Sequence, residues 1–270
     1  MSFYTSLNGL KNAQTDLGVI SNNIANAETN GFKKSTIAFS DIVAGSAFTN
    51  PKLVLGIGAT VEAINQNFAQ GPIEQTGNAL DLVVNGDGFF TTKSAVSGDT
   101  LYTRNGAFEV DENGFLLRGN GNRLQAFPTD AAGAVTGTTL QSVQIPATNA
   151  AGAQYAGVTV GKNGVITASY ADGTNTAIGK VALAAFLAPG GLRQEGSSNW
   201  SATGLSGTAT YGLPDAGFYG GLLSGALERS NVDLSEEMVR LITAQRNFQA
   251  NAKAIDTATQ ISQTIISLRS

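Results

Sequence analysis

The 270-residue chain has no cysteine and no histidine. Their absence removes disulfides, thiolate zinc sites, thiol nucleophiles, imidazole acid–base catalysis and every triad that needs a histidine. Charge is sparse as well, with Lys, Arg, Asp and Glu together at 13%, about half of the roughly 25% of an average soluble domain. The formal net charge is −4, so there is no electrostatic case for nucleic acid or for an acidic membrane surface. No apolar run approaches the ~18 residues of a membrane span. The first residues, Met1-Ser-Phe-Tyr-Thr-Ser-Leu, lack the basic stretch and apolar run of a cleaved signal peptide, and the expectation is a chain without one. Catalysis, cofactors and metals are not expected.

What the chain does have is unevenly distributed. All six prolines lie between Pro51 and Pro214, and of the 33 glycines only Gly9 and Gly18 precede residue 30 and none follows Gly225. Helix breakers are thus excluded from both ends and turn formers are concentrated between them. Phe3, Leu7, Leu10, Leu17, Ile20 and Ile24 recur at helical spacing and predict an amphipathic N-terminal helix, with a stop at Asn30-Gly31. At the other end Asp233 and Glu236 read as a capping box. Met238, Leu241, Ile242, Phe248, Ala252 and Ile255 then form one stripe, and Ala254, Ala258, Ile261, Ile265 and Leu268 a second. A helix of that length, about 50 Å at 1.5 Å per residue, is too long for a chain of this size to cover and predicts a partner.

The middle reads as β. Apolar runs alternate with Asn-Gly and Gly-Asp-Gly turns at Val83–Phe90, Tyr102–Val110, Asp111–Leu117 and Gly157–Tyr170. The fold class expected is α+β: long N- and C-terminal helices pairing as a coiled coil, and a central domain of antiparallel strands. The domains expected are helical ends at 1–30 and 226–270, a linker or hinge at 31–75, and a β-rich outer domain at 76–225 with a loop or small insertion at 131–157.

No motif for chemistry exceeds its ordinary structural meaning. Gly56-Ile-Gly-Ala-Thr-Val lacks the third glycine of a dinucleotide loop. Asp111-Glu-Asn-Gly lacks the ligand spacing of a calcium loop, and Asp81 and Asp87 sit in turn sequences. Asn199-Trp-Ser matches a glycosylation sequon.

Four blocks in order are specific. Val19-Ile-Ser-Asn-Asn-Ile-Ala-Asn-Ala-Glu-Thr-Asn-Gly-Phe-Lys-Lys, Thr76-Gly-Asn-Ala-Leu-Asp-Leu-Val-Val-Asn-Gly-Asp-Gly-Phe-Phe, Tyr102-Thr-Arg-Asn-Gly-Ala-Phe, and the stretch from Gly225 through Gln245-Arg-Asn-Phe-Gln-Ala-Asn-Ala-Lys-Ala-Ile closely resemble the bacterial flagellar axial family of rod and hook proteins. The resemblance implies a subunit of a tubular helical polymer with a central channel, an inner layer of paired terminal helices and an outer β layer. It also implies export by the flagellar type III apparatus without a cleaved signal, a place in the flagellum outside the cytoplasm, and as partners further copies of the chain together with neighbouring rod, hook-cap and hook–filament junction proteins. Phe39-Ser-Asp-Ile-Val-Ala-Gly and Leu124-Gln-Ala-Phe-Pro-Thr-Asp look like hook versions of these blocks, so a flexible hook subunit that transmits torque is the first expectation. The compact β region resembles the distal rod protein, which is the alternative; a secreted β-rich binding module is a third. The residues expected to carry assembly are Phe3, Leu7, Leu10, Leu17, Ile20, Asn23, Ile24, Asn26, Met238, Leu241, Phe248, Ile255, Ile261, Ile265 and Leu268, with the Asn22–Asn26 turn bonding across copies.

Overall fold

The computed structural model describes residues 2–44, 55–119 and 121–268. The first element is helix α1, Ser2–Ala25. It stops five residues before the expected Asn30-Gly31 cap because the asparagines near its end compete for backbone carbonyls. Asn26 donates its backbone N–H to Asn22 and Asn23 and its side-chain Nδ2 to the Asn22 carbonyl at 2.9 Å. Gly31 does adopt a positive φ of 67°, in the turn beyond the helix. Helix α2, Leu234–Ser267, is capped by Asp233, whose carboxylate accepts from the backbone N–H groups of Ser235 and Glu236. Its 34 residues give a length of about 51 Å.

The chain forms two compact units. The first comprises Met1–Ala27, Lys34–Asn67 and Val232–Ser270. Here α1 and α2 pack against each other, and α1 also packs on a hairpin of strands β1, Ser35–Ala44, and β2, Leu55–Gln66. The hairpin is antiparallel, pairing Ser35 with Gln66 and Phe39 with Val61, with bulges after Ala38 and Ile42. Residues 31–75, expected to be a linker, therefore hold a long paired element. Alternation in Thr60-Val-Glu-Ala-Ile-Asn is the signal that glycine and proline punctuation obscured. Gly58, at a φ of 123°, turns the β2 backbone where it faces Thr5 and Asn8 of α1, and Asn12 donates to the Ala59 carbonyl at 2.7 Å.

The second unit comprises Glu28–Lys33 and Phe68–Asn231. Its main sheet runs in the spatial order Tyr155–Val160, Val165–Tyr170, Asn175–Val181, Asn122–Pro128, Phe89–Ser94, Thr100–Thr103, Asn199–Ser201 and Arg193–Gly196, with antiparallel pairing throughout this path. Alternating strand residues build a core from Leu82, Val84, Phe90, Phe108, Leu116, Leu124, Ile166, Val181, Leu183 and Leu222. A second cluster gathers Phe89, Tyr102, Ala184 and Leu192 around the fully buried Trp200. The 131–157 stretch is mostly irregular, yet a two-residue strand at Gln141–Ser142 pairs with Asn122–Pro128 and Val143 and Ile145 enter the core. Residues 226–231, expected in the helical end, belong to this unit, where Ala226–Glu228 pairs with Ile73–Gln75. The architecture is α+β with antiparallel strands.

Candidate assembly surface

The helices run antiparallel. Gly9 of α1 sits against Asn251 of α2, and Asn23 hydrogen-bonds Glu237. These two anchors place a residue of α1 level with the α2 residue whose number completes the same sum. Among the α2 side chains with reduced exposure, Glu237, Leu241, Ala244, Phe248, Asn251, Ile255 and Ala258 are spaced four and three alternately, with Arg240 and Ala252 beside this series. On α1 the matching series is Gly9, Ala13, Asp16, Ile20 and Asn23. This four–three spacing keeps one seam facing the partner helix.

The seam runs out before α2 does. Ser2, the first described residue of α1, is level with about residue 258, so the last turns of α2 extend past it among the described residues. There Ile261, Ile265 and Leu268 are 56%, 59% and 82% exposed. They recur at i, i+4 and i+7 and form one apolar stripe. A second exposed group, Leu234, Met238 and Ile242, lies on the first turns of α2. On α1, Leu7, Leu10, Leu17 and Ile24 are half-buried and Phe3 is exposed, on the flank away from Asn8 and Asn12. No helix among the described residues is long and apolar enough to cross a membrane.

Where α1 ends and α2 begins, charge is buried. Glu237, with no exposed surface, accepts from Asn23 Nδ2 at 3.1 Å and Arg240 at 3.2 Å and pairs with Lys34 at 2.9 Å. Asn23 also brackets Ser35, donating to its carbonyl at 2.8 Å and accepting from its N–H at 3.0 Å. Burial pushes the Glu237 carboxyl up, but hydrogen bonds from Lys34, Asn23 and Arg240 outweigh it and hold the group below its ordinary value of 4.5. Burial raises nearby Asp16, with Arg240 opposing and Glu237 adding to the rise.

The neighbouring lysine is treated likewise in the other unit. Lys33, fully buried, meets Glu228 at 2.5 Å and donates to the Ala69 carbonyl at 2.8 Å. Glu228 also accepts from Gly71 N–H at 2.9 Å and faces Arg104 at 3.5 Å. Burial pushes the Lys33 ammonium below the usual lysine range, with the Glu228 carboxylate pulling the other way. Each member of the Lys33-Lys34 dipeptide thus carries its own buried carboxylate.

Of the expected assembly residues, Phe3, Met238, Ile261, Ile265 and Leu268 are on the surface. Leu7, Leu10, Leu17, Ile24, Asn26, Leu241, Phe248 and Ile255 are partly covered. Two lie inside the chain's own packing: Ile20 is 2% exposed and Asn23 fully buried, in the seam and the Glu237 cluster. Asn23 is therefore not on the surface to bond across copies. The buried charges Lys33, Lys34, Glu228 and Glu237 were not read from sequence as a group. The available signal was Glu237 standing on the four–three series of Leu241, Ala244 and Phe248. The sequence motifs resolve as turns: Asp111 accepts from the N–H groups of Asn113 and Phe115, and Asp81 from Thr76 and Asn78. Asn199 of the sequon is buried and accepts from Arg118 at 2.8 Å, out of reach of a modifying enzyme.

Comparison with known proteins adds three family matches in chain order. Residues 3–33 match the family described as flagella basal body rod protein, 83–168 the flagellar hook protein FlgE/F/G D1 domain, and 223–268 the flagellar basal body rod FlgEFG protein C-terminal. The flagellar basal-body rod protein FlgG of Bacillus subtilis is 36% identical over 288 residues, covering 99% of this chain and 98% of that one. Its counterpart in Agrobacterium fabrum is 32% identical over 95% of each chain. The flagellar hook protein FlgE of Salmonella typhimurium is 27% identical over 411 aligned positions, covering both chains in full. Against 270 residues here, that alignment leaves well over a hundred positions of the hook protein without a counterpart.

Proposed function

The chain belongs to the family of flagellar rod and hook axial proteins, and we propose that it is a rod-type subunit that polymerises into a tube around a central channel. Membership makes it a structural component of the flagellar basal body or hook. The observation that carries the polymer reading is the uncovered end of α2, where Ile261, Ile265 and Leu268 stand in solvent on a helix that its own partner does not reach. Neighbouring copies cover this stripe, burial contributing roughly 25 cal/mol per Å² of apolar surface, and α1 and α2 pair as a coiled coil in the inner layer. The partners are further copies and the adjoining axial proteins, reached after export by the flagellar type III apparatus.

The rod form is supported by the length match and higher identity to the rod relatives. A second reading, the flexible hook, is supported by the full-length alignment to the hook protein and by the hook-like blocks at Phe39 and Leu124. Bending then falls where the chain passes between its units, at Ala27/Glu28, Lys33/Lys34, Asn67/Phe68 and Asn231/Val232. Electron microscopy of concentrated protein tests both. Wild-type chain forms tubes, and Ile261→Asp or Ile265→Asp abolishes them while circular dichroism stays unchanged, since each buries an unpaired carboxylate at the contact. Assembly of both variants at wild-type yield sinks the polymer reading. Straight tubes of identical subunits favour the rod; curved tubes whose subunits differ in hinge angle favour the hook.

A further inference from the structure

The apolar seam between α1 and α2 leaves one question open: what selects its register. Shifting α1 by one heptad toward the C-terminus of α2 sets Ile20 within one residue of level with Phe248 instead of Leu241, and Ala13 within one residue of Ile255 instead of Phe248. The seam keeps its four–three rhythm and its apolar content. The bulky knobs Leu241, Phe248 and Ile255 repeat every seven residues, so they occupy equivalent seam positions after a slip of one heptad. A repeating apolar seam specifies register poorly, and a buried polar residue with a unique set of partners is the device that specifies it.

We propose that Glu237, held by Asn23, Lys34 and Arg240, is the register lock of the terminal helix pair. Native alignment gives this fully buried carboxylate donors from two further elements, Asn23 on α1 and Lys34 before β1. Asn23 is in turn fixed on both of its polar atoms by the Ser35 backbone, so the reference point is tied to the hairpin and not to α1 alone. A one-heptad slip carries Glu237 about 10 Å along the axis, out of reach of Asn23 and Lys34, and strips it of both donors. By the same displacement it moves the exposed stripe of Ile261, Ile265 and Leu268. Register thus sets where the proposed assembly surface stands, and that consequence rests on the polymer reading, whereas the lock itself does not.

The absence of cysteine makes the test direct. Cysteine pairs are introduced in the full chain at Gly9→Cys with Asn251→Cys for the native register. Gly9→Cys with Ala244→Cys, or with Ala258→Cys, reports a slip of one heptad either way. A disulfide needs Cβ atoms about 3.5–4.5 Å apart, so each pair reports one alignment. Dilute protein is oxidised in a glutathione buffer and products are read at monomer mass, so polymerisation plays no part. The native pair is expected to exceed each slipped pair by about tenfold or more. Glu237→Leu is expected to bring slipped and native products within about threefold of one another. Glu237→Gln, which keeps an acceptor of the same shape, retains the native product. An unchanged native excess in Glu237→Leu overturns the lock. Loss of all three products in that variant makes the cluster a general stabiliser and overturns it too, as does the absence of the native product in the otherwise unaltered chain.

Discussion

At the scale of single residues, the most consequential side chains are charged ones that have left water. Removing one member of a buried ion pair costs more than the pair contributes, because the survivor stays desolvated. Lys33→Met strands Glu228 with Arg104 as its remaining cationic neighbour, and it should destabilise the β unit by about 3–5 kcal/mol, measured by urea unfolding. In a double-mutant cycle with Glu228→Gln, a coupling energy below about 0.5 kcal/mol would show that the two groups do not depend on each other. Glu237 makes a different statement, about acid. Its folded carboxyl titrates below its ordinary value of 4.5, so the unfolded chain binds the proton more readily. The stabilisation is complete above that value and is lost as pH falls through the lower folded one. The helix pair is expected to lose stability on acidification below about pH 4.5, and the loss attributable to this group should vanish in Glu237→Gln. A variant with an acid profile identical to wild type would remove Glu237 from the account.

At the scale of elements, what sequence could and could not show divides by the range of the cause. Local causes were legible: the helical spacing of α1 and α2, the Asp233 cap, and the Asn-Gly turns among the central strands. The β1–β2 hairpin was not, because its pairing of Ser35 with Gln66 joins residues far apart in the chain. Amphipathic spacing said that the face of α1 carrying Ile20 is covered, but not by what. Asn23 was taken for part of a turn, and its meeting with Glu237, 214 residues apart in the chain, has no local trace. Within α2 itself, cover thins along the axis: its buried residues are Glu237 and Ala244, both in the first third. Hydrogen exchange should therefore be slowest from Glu237 to Phe248 and fastest from Ile261 to Ser267, since local opening follows the loss of tertiary contact. Uniform protection along α2 in a verified monomer would contradict this gradient.

At the scale of the whole molecule, a composition without cysteine or histidine and sparse in charge reads as a building material. A chain poor in charge has few ions to desolvate when its surfaces close against other copies. An assembly built on heterologous contacts continues as an open helix when the rotation between copies does not close a ring. Exposed apolar groups at opposite ends of α2, around Met238 and around Ile265, are two unlike surfaces of this kind. The Lys33-Lys34 dipeptide has a further consequence, for digestion. A trypsin-like protease must draw a basic side chain into its specificity pocket from an extended, accessible backbone. Both lysines are buried in ion pairs with Glu228 and Glu237, so the most obvious dibasic cleavage sequence in the chain is closed to it. Cutting there is therefore a signature of a chain that has come apart.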